Sequence, residues 1–214
     1  MDTSVQRIKQ VYSGITAKHY DLPISHFFGK YKKKAFNESS LKAGDKVLVF
    51  CCGTGLDFPH IIKKIGKEGK ILGVDFSPEM LKIAQERINR KKWKNIELVE
   101  ADITQIKEPL GDQFDVGVCT LGISIIPNFR TAYANLVSNI KKQGEIIIGD
   151  MQLAPGRLAR LNLFTVFLAK RYGGSYEGHQ NSIELYKIMK KELNDVIKRE
   201  FFFKSYFYCI GKTV

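Results

Sequence analysis

The run at 46–52, KVLVFCC, is apolar at every position after its lysine. A strand with one wet face alternates apolar and polar residues. A strand without that alternation is buried on both sides, as in a parallel sheet sandwiched between helices. The segments around it repeat the pattern. Residues 70–75 (KILGVD), 95–100, 114–120 (FDVGVCT) and 144–150 (GEIIIGD) read as further strands. Residues 58–65, 77–91 and 129–141 read as helices between them. Ser77-Pro78-Glu79 supplies an N-cap and a first-turn proline for the second of these. Strand and helix taking turns predicts βαβ units.

The two ends differ from this middle. The first 42 residues read as helical, with Val5, Ile8, Val11, Tyr12 and Ile15 spaced by threes and fours. A second helix is expected over about 24–41. Past residue 151, the stretches 156–172 and 181–192 read as helices. Two β-rich runs follow at 196–203 and 206–213, and the short gap at Lys204-Ser205 allows only an antiparallel hairpin. The predicted fold is α/β: a doubly wound, seven-stranded, mostly parallel sheet with a C-terminal antiparallel hairpin. A chain of 214 residues buries about 70% of its unfolded surface, enough for one core. We therefore expect a single domain over 1–214. Its parts are a helical lid (1–42), a ligand-binding core (43–151), a helical cap (152–195) and the hairpin (196–214).

Several function classes are disfavoured by composition. No apolar run reaches the ~18 residues of a membrane-spanning helix. MDTSVQRIKQ lacks the apolar core of a secretion signal, so a cytoplasmic protein is expected. The four cysteines, Cys51, Cys52, Cys119 and Cys209, have neither disulfide nor zinc-ligand spacing, and no metal is expected. The net charge of +12 suits nucleic acid, anionic lipid, a phosphorylated small molecule, or simply a lysine-rich soluble surface. The lysine clusters lack the aromatic interleaving of a single-strand platform, which makes nucleic acid the less favoured partner.

The first strand runs into Cys51-Cys52-Gly53-Thr54-Gly55, and a helix follows. A small-residue turn at that place lets backbone approach a nucleotide-like ligand. Asp75 ends the second strand, where a carboxylate accepts both ribose hydroxyls. It gains nothing from the core there, so its loss is expected to cost affinity and little stability. Asp102, after the third strand, lies on the same rim. Residue 58 is Phe where a dinucleotide fingerprint needs its third glycine, and P-loop spacing is absent. A nucleoside without phosphates fits better.

On these residues the chain resembles the class I S-adenosylmethionine (SAM)-dependent methyltransferases, over roughly residue 11 to the C-terminus. VLVFCCGTG is similar to the family's first motif, GVDFSPEML to its second-strand motif and EADI to its adenine-side motif. FDVGVCTLGISIIPN and LVSNIKKQGEIIIGD resemble the fourth-strand segment and the helix–strand after it. The resemblance implies SAM as cofactor and S-adenosylhomocysteine (SAH) as product. It implies that Cys51, Gly53, Thr54 and Gly55 pass beneath the ligand and that Asp75 holds the ribose. Phe76 and Met80, with Ala101, Asp102 and Ile103, would face the adenine, and Thr120 and Leu121 the methionine end. Tyr12 and Tyr20 would belong to a lid. The chain departs from the family at Val49, where an acid that helps hold the methionine ammonium is usual, and at Cys51, where glycine is usual. Asp57 either compensates or is simply an acid at a helix start.

The acceptor is less defined. TLGI stands where methylators of planar amines carry Asn/Asp-Pro-Pro-Tyr/Phe. VYSGITAKHYD and FFGK resemble the N-terminal signature of two groups, the ubiquinone/menaquinone C-methyltransferases and the bacterial phosphatidylethanolamine N-methyltransferases, and GTGLDFP and ISIIPN resemble the second somewhat more. A small or amphipathic acceptor is therefore expected: a phospholipid head-group amine or a quinol. The alternatives are an RNA-directed enzyme and a SAM-binding protein without turnover. The segment 157–172 covers an apolar acceptor pocket, lies on an anionic membrane at its inner face, or is buried in the cap. His19, Asp150, Tyr176 and His179 are the candidate groups for moving a proton.

Overall fold

The computed structural model describes residues 12, 21–106, 109–111 and 113–214. The seven strands are β1 (Lys46–Phe50), β2 (Lys70–Asp75), β3 (Ile96–Glu100), β4 (Phe114–Thr120), β5 (Ile140–Met151), β6 (Asn194–Phe201) and β7 (Tyr206–Lys212). They form one sheet in the order β3-β2-β1-β4-β5-β7-β6. β1 to β5 pair in parallel, and β7 inserts antiparallel between β5 and β6. The expected seven-stranded, mostly parallel sheet with an antiparallel hairpin is the fold observed.

Helices α1 (Asp21–Glu38), α2 (Phe58–Ile65), α3 (Pro78–Lys91), α4 (Phe129–Ser138), α5 (Asn162–Ala169) and α6 (Tyr176–Glu192) cover the sheet. Alternate residues of β1 serve opposite cores. Leu48 and Phe50 pack with Phe129, Leu136 and Leu185, while Val47 and Val49 pack with Phe36, Ile61 and Ala84. This double burial is why KVLVF carries no polar alternation. The order reverses between β1 and β4, so the crevice at their carboxyl ends is the switch point where such sheets bind ligands.

Several boundaries differ from the sequence expectation, among them that of β6, expected over 196–203 and found at Asn194–Phe201. The helix expected over 24–41 is α1, which starts at Asp21 and ends at Glu38. α4 stops at Ser138, not residue 141, and β5 begins at Ile140. Asn139 forces the change: its side chain takes the Leu110 N–H at 2.8 Å and donates back to the Asn135 carbonyl at 2.7 Å. The segment 156–172 is not one helix. A 3-10 turn (Gly156–Leu161) leads into α5, and a second one (Lys170–Tyr172) leaves it. The Asn162 side chain binds both the N–H and the carbonyl of Ala154, pinning the break. α6 starts at Tyr176 rather than 181, because Ser175 caps it through the Gly178 N–H at 2.9 Å. Among the described residues no helix is long and apolar enough to cross a membrane, and no three metal-ligating side chains cluster.

Candidate cofactor site at the strand ends

The turn after β1 is built from alternating left-handed residues, with φ of +50° at Cys51, +52° at Gly53 and +74° at Gly55. Two backbone hydrogen bonds help hold it: Cys52 N–H donates to the Val74 carbonyl and Gly55 N–H to the Cys52 carbonyl. A Cβ on Gly55 would lie 2.6 Å from the Phe58 ring, so the ring occupies the space that the third glycine leaves in dinucleotide sites. The turn opens on a cavity lined from β1 by Cys51 and Gly53, and from β2 and α3 by Asp75, Phe76 and Met80. Beyond β4 the wall is Leu121, Gly122, Ile125 and Ile126, and Tyr12 closes one side.

Asp75 is buried, and its two oxygens are shared out. Oδ2 accepts the Gly53 N–H at 2.8 Å and Oδ1 the Ser77 N–H at 3.0 Å. Each oxygen keeps a further lone pair for a ligand hydroxyl. Burial raises the carboxyl's pKa above the ordinary value, and the amides of Ser77, Gly53 and Phe76 pull it back. Protonation therefore sets in at higher pH than for a free aspartate. SAH affinity is expected to be full at neutral pH and to fall as pH descends through that raised value. The Asp75 share of apo stability runs the other way, because the folded chain holds this proton more tightly than the unfolded one. Calorimetric titrations across that range check the first, and melting scans of Asp75→Asn against the parent check the second.

Of the residues assigned to the cofactor from sequence, Cys51, Gly53, Asp75, Phe76, Met80 and Leu121 come together at the cavity. The hydroxyls of Thr54 and Thr120 and one oxygen of Asp102 are taken by neighbours. Thr54 donates to Asp21, Asp102 accepts from the Thr104 amide and hydroxyl, and Thr120 donates to Asp57. Gly55, Ala101 and Ile103 support the rim without lining it. Tyr20 and His19 lie outside the described residues. Tyr12 is fastened at both ends: its hydroxyl donates to the Tyr172 carbonyl, and its carbonyl accepts from Ser77 Oγ.

Gly122, Ile125 and Ile126 were not read from sequence. They reach the cavity because Leu121 takes a left-handed φ of +56° and its N–H docks on the Gly149 carbonyl. Gly122 also explains how Cys51 is tolerated at a glycine position. A Cβ at residue 122 would overlap Cys51 Cβ and lie 2.9 Å from its Sγ. Gly122→Ala is expected to cost about 1–3 kcal/mol by overpacking and to weaken SAH binding. Adding Cys51→Gly removes the overlapping atoms and is expected to restore both. Additive effects in that double-mutant cycle would mean the two residues do not share the space.

Among the proton-moving candidates, Tyr176 is exposed, whereas Asp150 and His179 are buried. Asp150 accepts the Ser124 N–H at 3.1 Å and so braces the cavity wall from behind. Burial raises its pKa, with the amides and His179 opposing. His179 Nδ1 lies 2.6 Å from the Ser175 carbonyl, which can only accept, so Nδ1 carries the hydrogen. Nε2 is buried and has no hydrogen-bond partner among the described residues. Asp57 makes no cap bond to α2. One oxygen pairs with Lys32 at 3.0 Å and the other takes the Thr120 hydroxyl. Both oxygens are thus engaged inside the fold, away from the cavity lining.

A switch-point cavity with a carboxylate at the end of β2, on a sheet of this order, is the arrangement of class I SAM-dependent methyltransferases. The solved structure of a SAM dependent methyltransferase from Aquifex aeolicus superposes with a TM-score of 0.68 at 20% identity, covering 92% of this chain and 97% of that one. The family described as methyltransferase domain matches residues 41–194, and the chain belongs to it. Curated relatives are named demethylmenaquinone methyltransferase. The protein of that name from Geobacillus stearothermophilus is 28% identical over 149 residues, 67% of this chain and 62% of the relative. Its namesake from Anoxybacillus flavithermus is 25% identical over 185 residues, 80% of this chain and 76% of its own. In the first of these matches the chain spans about three fifths of the relative's length.

Proposed function

We propose that the protein transfers a methyl group from SAM to a small amphipathic acceptor of the quinol type, at a ring carbon. The carrying observation is the strand-end cavity. It joins a buried carboxylate with free lone pairs, a left-handed turn that brings backbone to the surface, and apolar walls. The residues fit the cofactor: Gly53 leaves open the space a Cβ would take 3.4 Å from Met80 Cε. In this reading Asp75 holds the ribose, Gly53 and Cys51 pass beneath it, and Phe76 and Met80 flank the base. Ala101, Asp102 and Ile103 edge the adenine side, and Thr54, Gly55 and Thr120 keep the turn and the β4 end in place. Leu121 faces the methionine end, and Tyr12 with Tyr20 closes the lid. The whole of 1–214 acts as one unit, with 152–195 as the cap over the acceptor. The quinol reading is supported by the names of the relatives.

SAM supplies a sulfonium methyl that is already a good electrophile. The chain's part is alignment and the exclusion of water, and Met80, Leu121, Ile125 and Ile126 provide the apolar walls for both. A ring carbon also needs its neighbouring hydroxyl ionised. Asp150, behind the wall at the Ser124 amide, and His179 are the proposed groups for that proton, although neither lines the cavity. An amphipathic acceptor resides in a lipid phase, so the enzyme works in the cytoplasm at the inner face of the membrane.

The test is incubation with methyl-labelled SAM and a total cell extract, then fractionation into quinones, phospholipids, RNA and water-soluble molecules. Label in the quinone fraction is the expected result. Label in phospholipids moves the acceptor to a head-group amine, and label in RNA overturns the reading. Val49 and Cys51 favour a second reading, a SAM-binding protein without turnover. Tight SAM binding with no labelled fraction would establish that one.

A further inference from the structure

Among the described residues, the large hydrophobic side chains left exposed belong, apart from Val214, to segments beyond the carboxyl ends of the strands. α1 contributes Leu22 and Phe27, and its start is fastened to the β1 turn through Asp21 and Thr54. The turn between β6 and β7 contributes Phe203, and Gln152, just past β5, hydrogen-bonds to Lys204 in that turn. α5 contributes Leu163 and Phe167, which are 78% and 68% exposed. This is also the rim on which the cofactor cavity opens.

Along the chain, the charge flanking α5 has one sign. Residues 152–175 contain four cations, Arg157, Arg160, Lys170 and Arg171, and no Asp or Glu. Leu163 and Phe167, spaced by four, share one side of α5, Arg160 and Lys170 stand in the 3-10 turns at its two ends, and all four are exposed. Two apolar residues between two cations in an acid-free stretch suit a surface with anionic groups above an apolar layer. The face also adjoins the cavity. A Cβ on Gly173, just past the turn that leaves α5, would lie 3.6 Å from Ile125 and 3.8 Å from Tyr12, both of which line it.

We propose that the α5 face docks the protein on an anionic membrane surface, with Leu163 and Phe167 entering the acyl region and Arg157, Arg160 and Lys170 lying against the head groups. The acceptor then passes from the lipid to the adjoining cavity without crossing water. That last step rests on the amphipathic-acceptor reading; the docking rests on the α5 residues alone.

The full chain is sedimented with vesicles of phosphatidylglycerol and phosphatidylcholine, and with vesicles of phosphatidylcholine only. Binding to the anionic vesicles at low salt, weakened at high salt, is expected. The double substitution Leu163→Gln/Phe167→Gln is expected to lower it at least ~10-fold, one decade on the binding scale. Arg160→Gln/Lys170→Gln is expected to lower it and flatten the salt dependence. These side chains are exposed, so melting temperature and SAH affinity should match the parent, which keeps folding and the cofactor reading apart from the docking result. Parent protein absent from the anionic vesicles at low salt, or apolar variants that bind as the parent does, overturns the proposal. A dimer in solution that Leu163→Gln/Phe167→Gln makes monomeric also overturns it, because a second copy would then be what covers the face.

Discussion

Replacing Asp75 by alanine is expected to weaken SAH and SAM binding by at least ~10-fold and to lower the melting temperature as well. The first effect follows from the two ligand hydroxyls that lose a charged acceptor, each such bond being worth roughly 1.5–3 kcal/mol against ~1.4 kcal/mol per decade. The second is a correction to the sequence reading, in which Asp75 served the ligand and little else. The carboxylate clasps the Gly53 and Ser77 amides, joining the β1 turn to the start of α3. Leaving the Gly53 and Ser77 amides without an acceptor, offset in part by removing a carboxylate whose charge burial disfavours, costs about 1–3 kcal/mol, roughly 2–12 °C in melting temperature for a chain of this length. Asp75→Asn keeps one carbonyl oxygen, so it should recover part of the stability and less of the affinity. Titration calorimetry and a melting scan on the same samples separate the two. A variant that melts low yet binds SAH as the parent does would take Asp75 out of the ligand site.

The strands were legible wherever both faces are buried, because burial on two sides leaves a continuous apolar run. The start of β5 was not. Lys141, Lys142 and Gln143 are exposed, and in this stretch only Ile140 pairs with β4, through Phe114 before the register shifts, so backbone pairing extends past the hydrophobic pattern. The break before α5 was hidden for a different reason. Asn162 is a weak helix former that the apolar spacing around it outweighed, and its clamp on Ala154 is a tertiary contact that no periodicity reports. The β6–β7 turn needs left-handed φ at Phe202, Phe203 and Lys204, residue types that do not announce such a turn.

The same division runs through the site. Asp75 was legible because a charge ending an apolar strand gains nothing from the apolar core; its clasp on the Gly53 and Ser77 amides was not. Asp102 and Thr54 sit at strand ends too, but neighbouring donors and acceptors claim their side chains, and residue position alone cannot tell the two situations apart. The far wall of the cavity depends on the backbone conformation of Leu121. Its one sequence trace was the glycine at 122, whose need becomes visible only beside Cys51.

Lys32→Met is expected to be the most destabilising of these substitutions. Lys32 and Asp57 are 7% and 8% exposed at their side chains, and the ammonium lies 3.0 Å from Oδ1. Removing one partner of a buried pair strands the other charge in low dielectric, which costs about 3–5 kcal/mol, or roughly 6–20 °C here. The damage should reach the cofactor site. Asp57 also holds the Thr120 hydroxyl, and Thr120 precedes the left-handed Leu121 that turns the chain toward the cavity. SAH affinity is therefore expected to drop with stability, although neither Lys32 nor Asp57 lines the cavity. Lys32→Met/Asp57→Asn removes both charges while keeping an acceptor for Thr120, and it should recover most of the loss, since apolar replacement of a whole buried pair is often neutral. The melting temperatures of the two single variants and the double variant close the cycle. If the double variant is as unstable as the sum of the singles, the pair is not coupled, and the link from α1 through Asp57 to the β4 end fails with it.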